Sequence, residues 1–420
     1  MFYNYLITAL RNFTRHKLYS FINIAGLTVG LTCAIFIILF VRDQLSYDRW
    51  IPGTNNLYRL EWSMSQPGEP PMHSSAIPFP WPEAMAAQLP EVKAAAHLEP
   101  YQMTVATGDR QFLDHVDVVS GNFFQLIQLP LVAGDRAHLF AQPESAVITE
   151  SAARKYFGAR PAIGQMLKVG GLCESHTDGS GEGCTVREAA VMVTGVMRDL
   201  PHNTQLSGDV FIPNISTADP MSQQRKGDWT SSNGYGYVEL QANADPQSVR
   251  AKLPALIDRN YDPKKHSGLA VWGSQILHLT LTRFVDDHLS TDRYQSLTPA
   301  GSWTTVYGFA AIGVLILLIA CFNFTNLATA RAMMRAREIS LRKTMGARRG
   351  QVMIQFLGES VLMALISLIL ALALAEVLLP LGDRMLSEPI QLHYLHDWPL
   401  LAAFGGLAVL IGLLGGFYPA

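Results

Sequence analysis

The sequence predicts a multi-pass α-helical membrane protein: four transmembrane helices, with a large extracytoplasmic α+β domain between the first and the second. Three observations predict it. Four stretches of about 20 residues are almost free of charge, the length at which a helix crosses the hydrocarbon core. The 420 residues are 49% apolar and 16% charged, and the apolar share is gathered in those stretches. Between the first two, residues 42–302 alternate strand-like and helix-like patches.

At the amino terminus Phe2, Tyr5, Leu6, Ala9, Leu10 and Phe13 recur at helical spacing, with Arg11, Arg15 and Lys17 off or near that stripe. This pattern predicts a cytoplasmic amphipathic helix over 1–20, lying on membrane lipid. The first span, 21–41, reads FINIAGLTVGLTCAIFIILFV. It is longer than the apolar core of a signal peptide, and the VRDQLSYD that follows offers no small-residue cleavage site, so an uncleaved anchor is expected. Gly26 and Gly30 have the spacing that lets helices approach closely.

Within 42–302, the segments 57–62, 115–120, 145–151, 190–197, 235–242 and 277–284 read as strands, rich in β-branched and aromatic residues. Helices are signalled at 81–89 by Pro82 near the start, at 151–158 by the closing Gly158, and at 244–261 by Asp245 as cap with Pro246 in the first turn. Pro254 inside the last of these is expected to kink it. Cys173 and Cys184 flank a glycine-rich stretch suited to a hairpin tip. Outside the cytosol they would form a disulfide or stay as free thiols, the bridge being preferred.

The remaining spans are 303–330, 351–380 and 400–420, joined by a loop at 331–350 and another at 381–399. Asn323, Thr325, Asn326 and Thr329 lie at one end of the second span; helix packing is the role expected of them, with hydrogen bonds between helices as the alternative. Gly412 and Gly416 repeat the close-packing spacing. Cys33 and Cys321 read as small buried apolar groups. Glu359, near the start of the third span, reads as structural rather than as part of a proton relay.

Lysine and arginine stay on the cytoplasmic side, and their distribution sets the orientation. The first span is preceded by Arg11, Arg15 and Lys17 with no acid. The 331–350 loop carries Arg331, Arg335, Arg337, Arg342, Lys343, Arg348 and Arg349 against the single acid Glu338. In the 381–399 loop Asp383, Glu388 and Asp397 face only Arg384. The amino terminus and 331–350 are therefore expected in the cytoplasm, with 42–302 outside a bacterial inner membrane. Within the basic loop, Glu338 and Arg342 stand four apart in a favourable helical order, predicting a short amphipathic helix ended at Gly346.

Catalysis is not advertised. The phosphate-binding pattern G-x-x-x-x-G-K-[ST] does not occur, nor do H-E-x-x-H or G-x-S-x-G, and the twelve histidines are dispersed without metal-ligand spacing. The reading is a non-enzyme with no metal, no cofactor and no nucleic-acid partner.

The order of these features, and above all NFTNLATARAMMRAREISLRKTMGARRGQVMIQFLGES at 323–360, resembles the permeases of the MacB/FtsX-like ABC transporters, the mechanotransmission or type VII family. DQLSYDRW (43–50), VSGNFFQLIQLPLVAGD (119–135) and VITESAARKYFG (147–158) are similar to the outer domain of such permeases. The resemblance implies a separate ABC ATPase subunit that docks on the 331–350 coupling loop, with Arg337, Glu338, Arg342 and Lys343 at the contact. It implies an outer domain of two lobes, the inserted one over about 118–236, worked by the spans on something already outside the cell: a peptide, antibiotic, lipid or lipoprotein, with a periplasmic adaptor or substrate protein as further partner. The alternative is an FtsX-like regulator of a cell-wall hydrolase. The partner in the membrane would be a second permease copy, or a carboxy-terminal repeat if the chain is the first half of a doubled polypeptide.

Overall fold

In the computed structural model, the described residues are 17–65, 71–175, 184–219, 227–231, 234–267, 271–290, 301–334, 349–386 and 397–417. The chain divides into two compact units, Met1–Leu45 with Thr304–Ala420, and Ser46–Trp303.

The first unit is built from α1 (Lys17–Ser46), α8 (Trp303–Met334), α9 (Arg349–Leu386) and α10 (Trp398–Phe417); α2 to α7 belong to the second unit and are introduced below. Each of the four contains a window long and apolar enough to cross a membrane: Ser20–Ser46, Trp303–Ala330, Met353–Leu379 and Trp398–Phe417. Only helices and closed barrels satisfy every backbone group in lipid, so these charge-free runs have one stable form. Leu27, Leu31, Ile35, Phe324, Ala364, Ala371, Phe404 and Ala408 fill the space between the helices.

Among the described residues the second unit holds one eleven-stranded sheet, mostly antiparallel. Its strands are β1 (Leu57–Met64), β2 (Met72–Ser74), β3 (Val92–Thr107), β4 (Arg110–Val119), β5 (Leu131–Ala133), β6 (Ser145–Thr149), β7 (Met166–Ser175), β8 (Cys184–Met197), β9 (Val210–Pro213), β10 (Tyr235–Leu240) and β11 (Leu277–Arg283). Along the main path the order is β11, β1, β10, β3, β4, β9, β6, β8, β5. Helices α2 (Pro80–Gln88), α3 (Phe123–Leu126), α4 (Glu150–Phe157), α5 (Pro246–Asn260), α6 (Pro263–Ser267) and α7 (Gly273–Ile276) complete it.

β3 is the spine of this sheet. Its first half, to Leu98, pairs with β10, and its second half pairs with β4 in one unbroken ladder from Leu98 opposite Val119 to Thr107 opposite Arg110. Backbone pairing is thus continuous across residue 118, where the sequence reading begins its inserted lobe. Gly108 closes the β3–β4 hairpin at φ 58, a value natural for glycine at the first position of a two-residue turn. The alanine-rich VKAAAHLEPYQMTVAT carries weak strand propensity and a central proline, so sequence patterning does not mark it as a strand. The fold tolerates Pro100 because β10 has ended by Leu98 and β7 pairs only from Thr104, so this stretch has a neighbour on one side alone.

Among the described residues three apolar cores sit on this sheet. One packs α2 and α5 on β1, β10 and β11 through Leu60, Trp81, Met85, Leu253 and Ile257. A second packs α4 on β4, β6, β8 and β9 through Val116, Ile148, Tyr156, Val191 and Ile212. The third joins Ile51, Phe123, Phe124, Phe211, Tyr237 and Phe284 from segments far apart in sequence. Thr149 caps α4 by accepting from the Ala152 amide, and Asp245 caps α5 by accepting from Gln247 and Ser248, with Pro246 in the first turn and Pro254 accommodated inside the helix.

Candidate functional site

Helix directions in the membrane unit follow from residue pairings. A Cβ on Gly26 would lie 3.2 Å from the Asn323 amide nitrogen, and one on Gly30 only 2.7 Å from the Ala320 Cβ. Further along, Gly313 meets Ile37, and the Phe40 and Phe309 rings lie 5.0 Å apart. As the α1 number rises the α8 number falls, so these helices are antiparallel. Between α1 and α9 the numbers rise together: Thr28 Oγ1 donates to the Ser367 carbonyl and Thr32 Oγ1 to that of Ala371, each at 3.4 Å. In return Ser367 Oγ donates to the Ile24 carbonyl at 3.3 Å. The carboxy-terminal end of α8, the amino-terminal end of α9 and the start of α1 therefore lie on one membrane face.

Gly412 and Gly416 sit where α10 crosses α9. A Cβ at Gly412 would be 2.7 Å from the Val361 Cα, and one at Gly416 2.7 Å from Ser360 Oγ. Gly415, which no sequence spacing singled out, is tighter still, with the Phe324 ring 2.3 Å from its Cβ position. Asn323 and Asn326 are both exposed on α8, Asn323 with its amide nitrogen beside Gly26. Thr325 and Thr329 donate to the Cys321 and Thr325 carbonyls of their own helix rather than to another helix. Bonding four residues back satisfies a hydroxyl in lipid without any partner helix. Glu359 is buried and accepts from Gln355 Nε2 at 3.3 Å; Cys33 and Cys321 are half-buried free thiols.

At the opposite end of the bundle Arg42 and Asp397 pair at 2.6 Å, the aspartate nearly buried and the arginine half exposed. The Asp397 carbonyl accepts from the Leu400 and Leu401 amides at the start of α10, so one residue both opens that helix and ties it to α1. The two residues lie 355 positions apart, and no local pattern could have paired them.

Arg337, Glu338, Arg342 and Lys343 lie outside the described residues, as does the amino-terminal helix. The β7–β8 register sets Cys173 opposite Val186 and Ser175 opposite Cys184; the cysteine side chains are outside the described residues. Among the described residues no three metal-ligating side chains cluster.

The outer unit carries a desolvated charge cluster that sequence reading missed. Arg59 is almost wholly buried, with Nη1 2.5 Å from Asp287 and 3.2 Å from Gln205 Oε1, and Nη2 donating to Ser75 Oγ at 2.8 Å. Glu61 lies 3.4 Å away and the Tyr235 ring faces the guanidinium. Burial opposes its charge, but Asp287 and Glu61 outweigh that and push the Arg59 pKa up. Asp48 is fully buried at φ 56 and accepts from Thr204 Oγ1 (2.5 Å), Gln205 Nε2 (3.0 Å) and the Gln205 amide (3.2 Å). Burial raises its carboxyl to about 6, these donors offsetting only part of the effect and Asp287 adding to it. Nearby, Asp117 is fully buried and neither oxygen meets a well-formed donor among the described residues. Burial pushes its carboxyl up to about 8, the Gly208 amide offsetting part and Asp209 adding to the rise.

Two family models together cover most of the chain. One, described as the MacB-like periplasmic core domain, matches residues 20–256; the other, described as the FtsX-like permease C-terminal region, matches residues 310–420. A macrolide export ATP-binding/permease protein MacB 1/2 of Paracoccus denitrificans is 25% identical, over 98% of this chain and 56% of its own length. The ABC transporter permease YknZ of Bacillus subtilis is 30% identical over 32% of this chain and 35% of its own length. The chain spans about half the length of curated relatives that match along most of it. Among solved structures, a domain of a permease protein from Porphyromonas gingivalis covers 58% of this chain and 94% of its own, at TM-score 0.44 and 22% identity.

Proposed function

This chain belongs to the MacB-like ABC transporter permeases, and on that premise we propose that it couples ATP hydrolysis by a separate ABC ATPase subunit to work done by its extracytoplasmic domain. The work is export of a peptide, antibiotic, lipid or lipoprotein. The chain sits in the bacterial inner membrane with its amino terminus in the cytoplasm, and Arg337, Glu338, Arg342 and Lys343 of the 331–350 loop form the docking contact.

The observation that carries the reading is the direction of the helices. α1 runs parallel to α9 and antiparallel to α8, so the start of α1, the end of α8 and the start of α9 share one face, and these are the ends that the basic segments 1–16 and 335–348 adjoin in the sequence. Positive charge holds such a face on the cytoplasmic side, where nucleotide is available. A surface dense in arginine presents planar, bidentate donors suited to carboxylates of a partner protein.

The test is charge reversal at Arg342 and Lys343 in the full chain, purified with the ATPase that accompanies it. The expected result is normal membrane insertion and loss of the permease's effect on ATP hydrolysis. Unchanged hydrolysis would remove these residues from the contact.

A further inference from the structure

The chain enters the outer unit at Ser46, directly after α1, and leaves it through the 3₁₀ turn Phe284–Leu289 on its way to α8. These two passages are more than 230 residues apart in sequence, yet they are joined by contacts of three kinds. The Tyr47 and His288 rings stack, with centroids 3.4 Å apart and planes 3° from parallel. Arg49 and Asp286 form an ion pair at 3.6 Å on the surface. Between them runs the buried relay in which Gln205 donates through Nε2 to Asp48 and accepts through Oε1 from Arg59, which holds Asp287.

The middle of that relay comes from neither passage. Thr204 and Gln205 lie in the segment 198–209 that links β8 to β9, and it is fastened at further points. The Asp48 amide donates to the Asn203 carbonyl at 3.0 Å, and Asn203 Nδ2 donates to Ser46 Oγ at 2.9 Å. At its far end the Gly208 Cα approaches Asp117 so closely that a Cβ would lie 2.3 Å from the carboxylate. An ordinary surface loop is not held this way: its backbone would be solvated and its side chains free.

We propose that this assembly is a latch: Gln205 and Asp48 bind the two passages to each other and to segment 198–209, so that displacement of either passage is delivered to the strands β8 and β9. Desolvated hydrogen-bonded charges suit this task because their partners cannot exchange for water without a large penalty, which makes the joint stiff and two-state rather than yielding. Gln205 is a positioning residue in this scheme. The delivery of ATP-driven motion rests on the function proposed above; the latch itself does not.

The experiment is hydrogen exchange of the full chain in lipid nanodiscs, comparing wild type with Gln205→Met, which keeps the volume and removes both ends of the bridge. The expected result is exchange faster by about tenfold at 46–50 and at 284–290 together, with β6 unchanged. Acceleration confined to 203–206, or spread evenly over the unit, would overturn the latch. With the co-purified ATPase trapped by ATP and vanadate, exchange should change at 284–290 and 198–209 together in wild type, and at 284–290 alone in Gln205→Met. Independent responses in wild type would also overturn it. Absence of any vanadate response in the chain would count against the proposed function, and the nucleotide-free comparison would still decide the latch.

Discussion

The membrane unit and the outer unit solve the problem of specificity in opposite ways. Helices in the membrane meet through absence of bulk: Gly30 against Ala320, Gly412 against Val361, Gly415 against Phe324, with a few hydroxyls donating to backbone carbonyls. The outer unit meets itself through buried charge, with Arg59 set among Glu61 and Asp287, and Asp48 and Asp117 shut away from water. Solvent explains the contrast. Lipid tails are as apolar as leucine, so burial gives no drive to helix association and shape must discriminate. In water, three apolar cores supply enough drive to carry the desolvation of a charged cluster.

The sharpest way to break this contrast is to unpair the buried charge. Arg59→Met leaves Asp287 and Glu61 desolvated without their cation, and a loss of about 3–5 kcal/mol is expected in chemical denaturation of the full chain followed by exchange in β1 and β11. Asp287→Asn placed in the same chain should return part of it, because the stranded charge is then removed. Recovery would locate the cost in electrostatics rather than in packing.

A shape-based interface should instead fail on a small added volume. Gly412→Val puts side-chain atoms onto the Val361 backbone, and a cost of about 1–3 kcal/mol is expected in thermal unfolding of the detergent-solubilised chain. Gly406→Val, on the same helix with nothing within 4 Å of its Cβ position, should leave the transition where it is. Equal effects would remove the distinction between packed and lipid-facing glycines.

The smallest effect is read per pH unit. The Asp117 carboxyl is raised in the folded state from 3.8 to about 8, so its contribution is fully present below the lower value and is lost as pH rises through the upper one. Between about pH 6 and 8, above the Asp48 window, the outer unit should lose about 1.4 kcal/mol per unit from this group at most. Asp117→Asn should flatten that slope in denaturation curves taken across the range.

Much of the architecture was legible because it is written locally. Charge-free runs of bilayer length marked the four spans to within a few residues of where the helices contain them. Alternating β-branched patches marked β1, β8 and β10, and the cap at Asp245 begins a helix where a polar residue precedes a periodic run. The spine strand β3 was not legible: its alanines and Pro100 argue against a strand, and only pairing with β10 along its first half and β4 along its second overrules that preference. Of the residues singled out beforehand, Gly26, Gly30, Gly412 and Gly416 have atoms of another helix within 3.2 Å of their Cβ positions, Asn323 and Asn326 are both exposed, and the coupling residues lie outside the described part of the chain.

By itself the sequence determined the count and order of membrane helices and the mixed nature of the outer domain, since hydropathy and periodicity act over a dozen or two residues. Only the tertiary structure decided that Arg42 meets Asp397, that Tyr47 stacks on His288, and that Gln205 bridges Asp48 to Arg59. The physical reason is that a charge gains its worth from what surrounds it after burial, and its neighbours here arrive from the far ends of the chain.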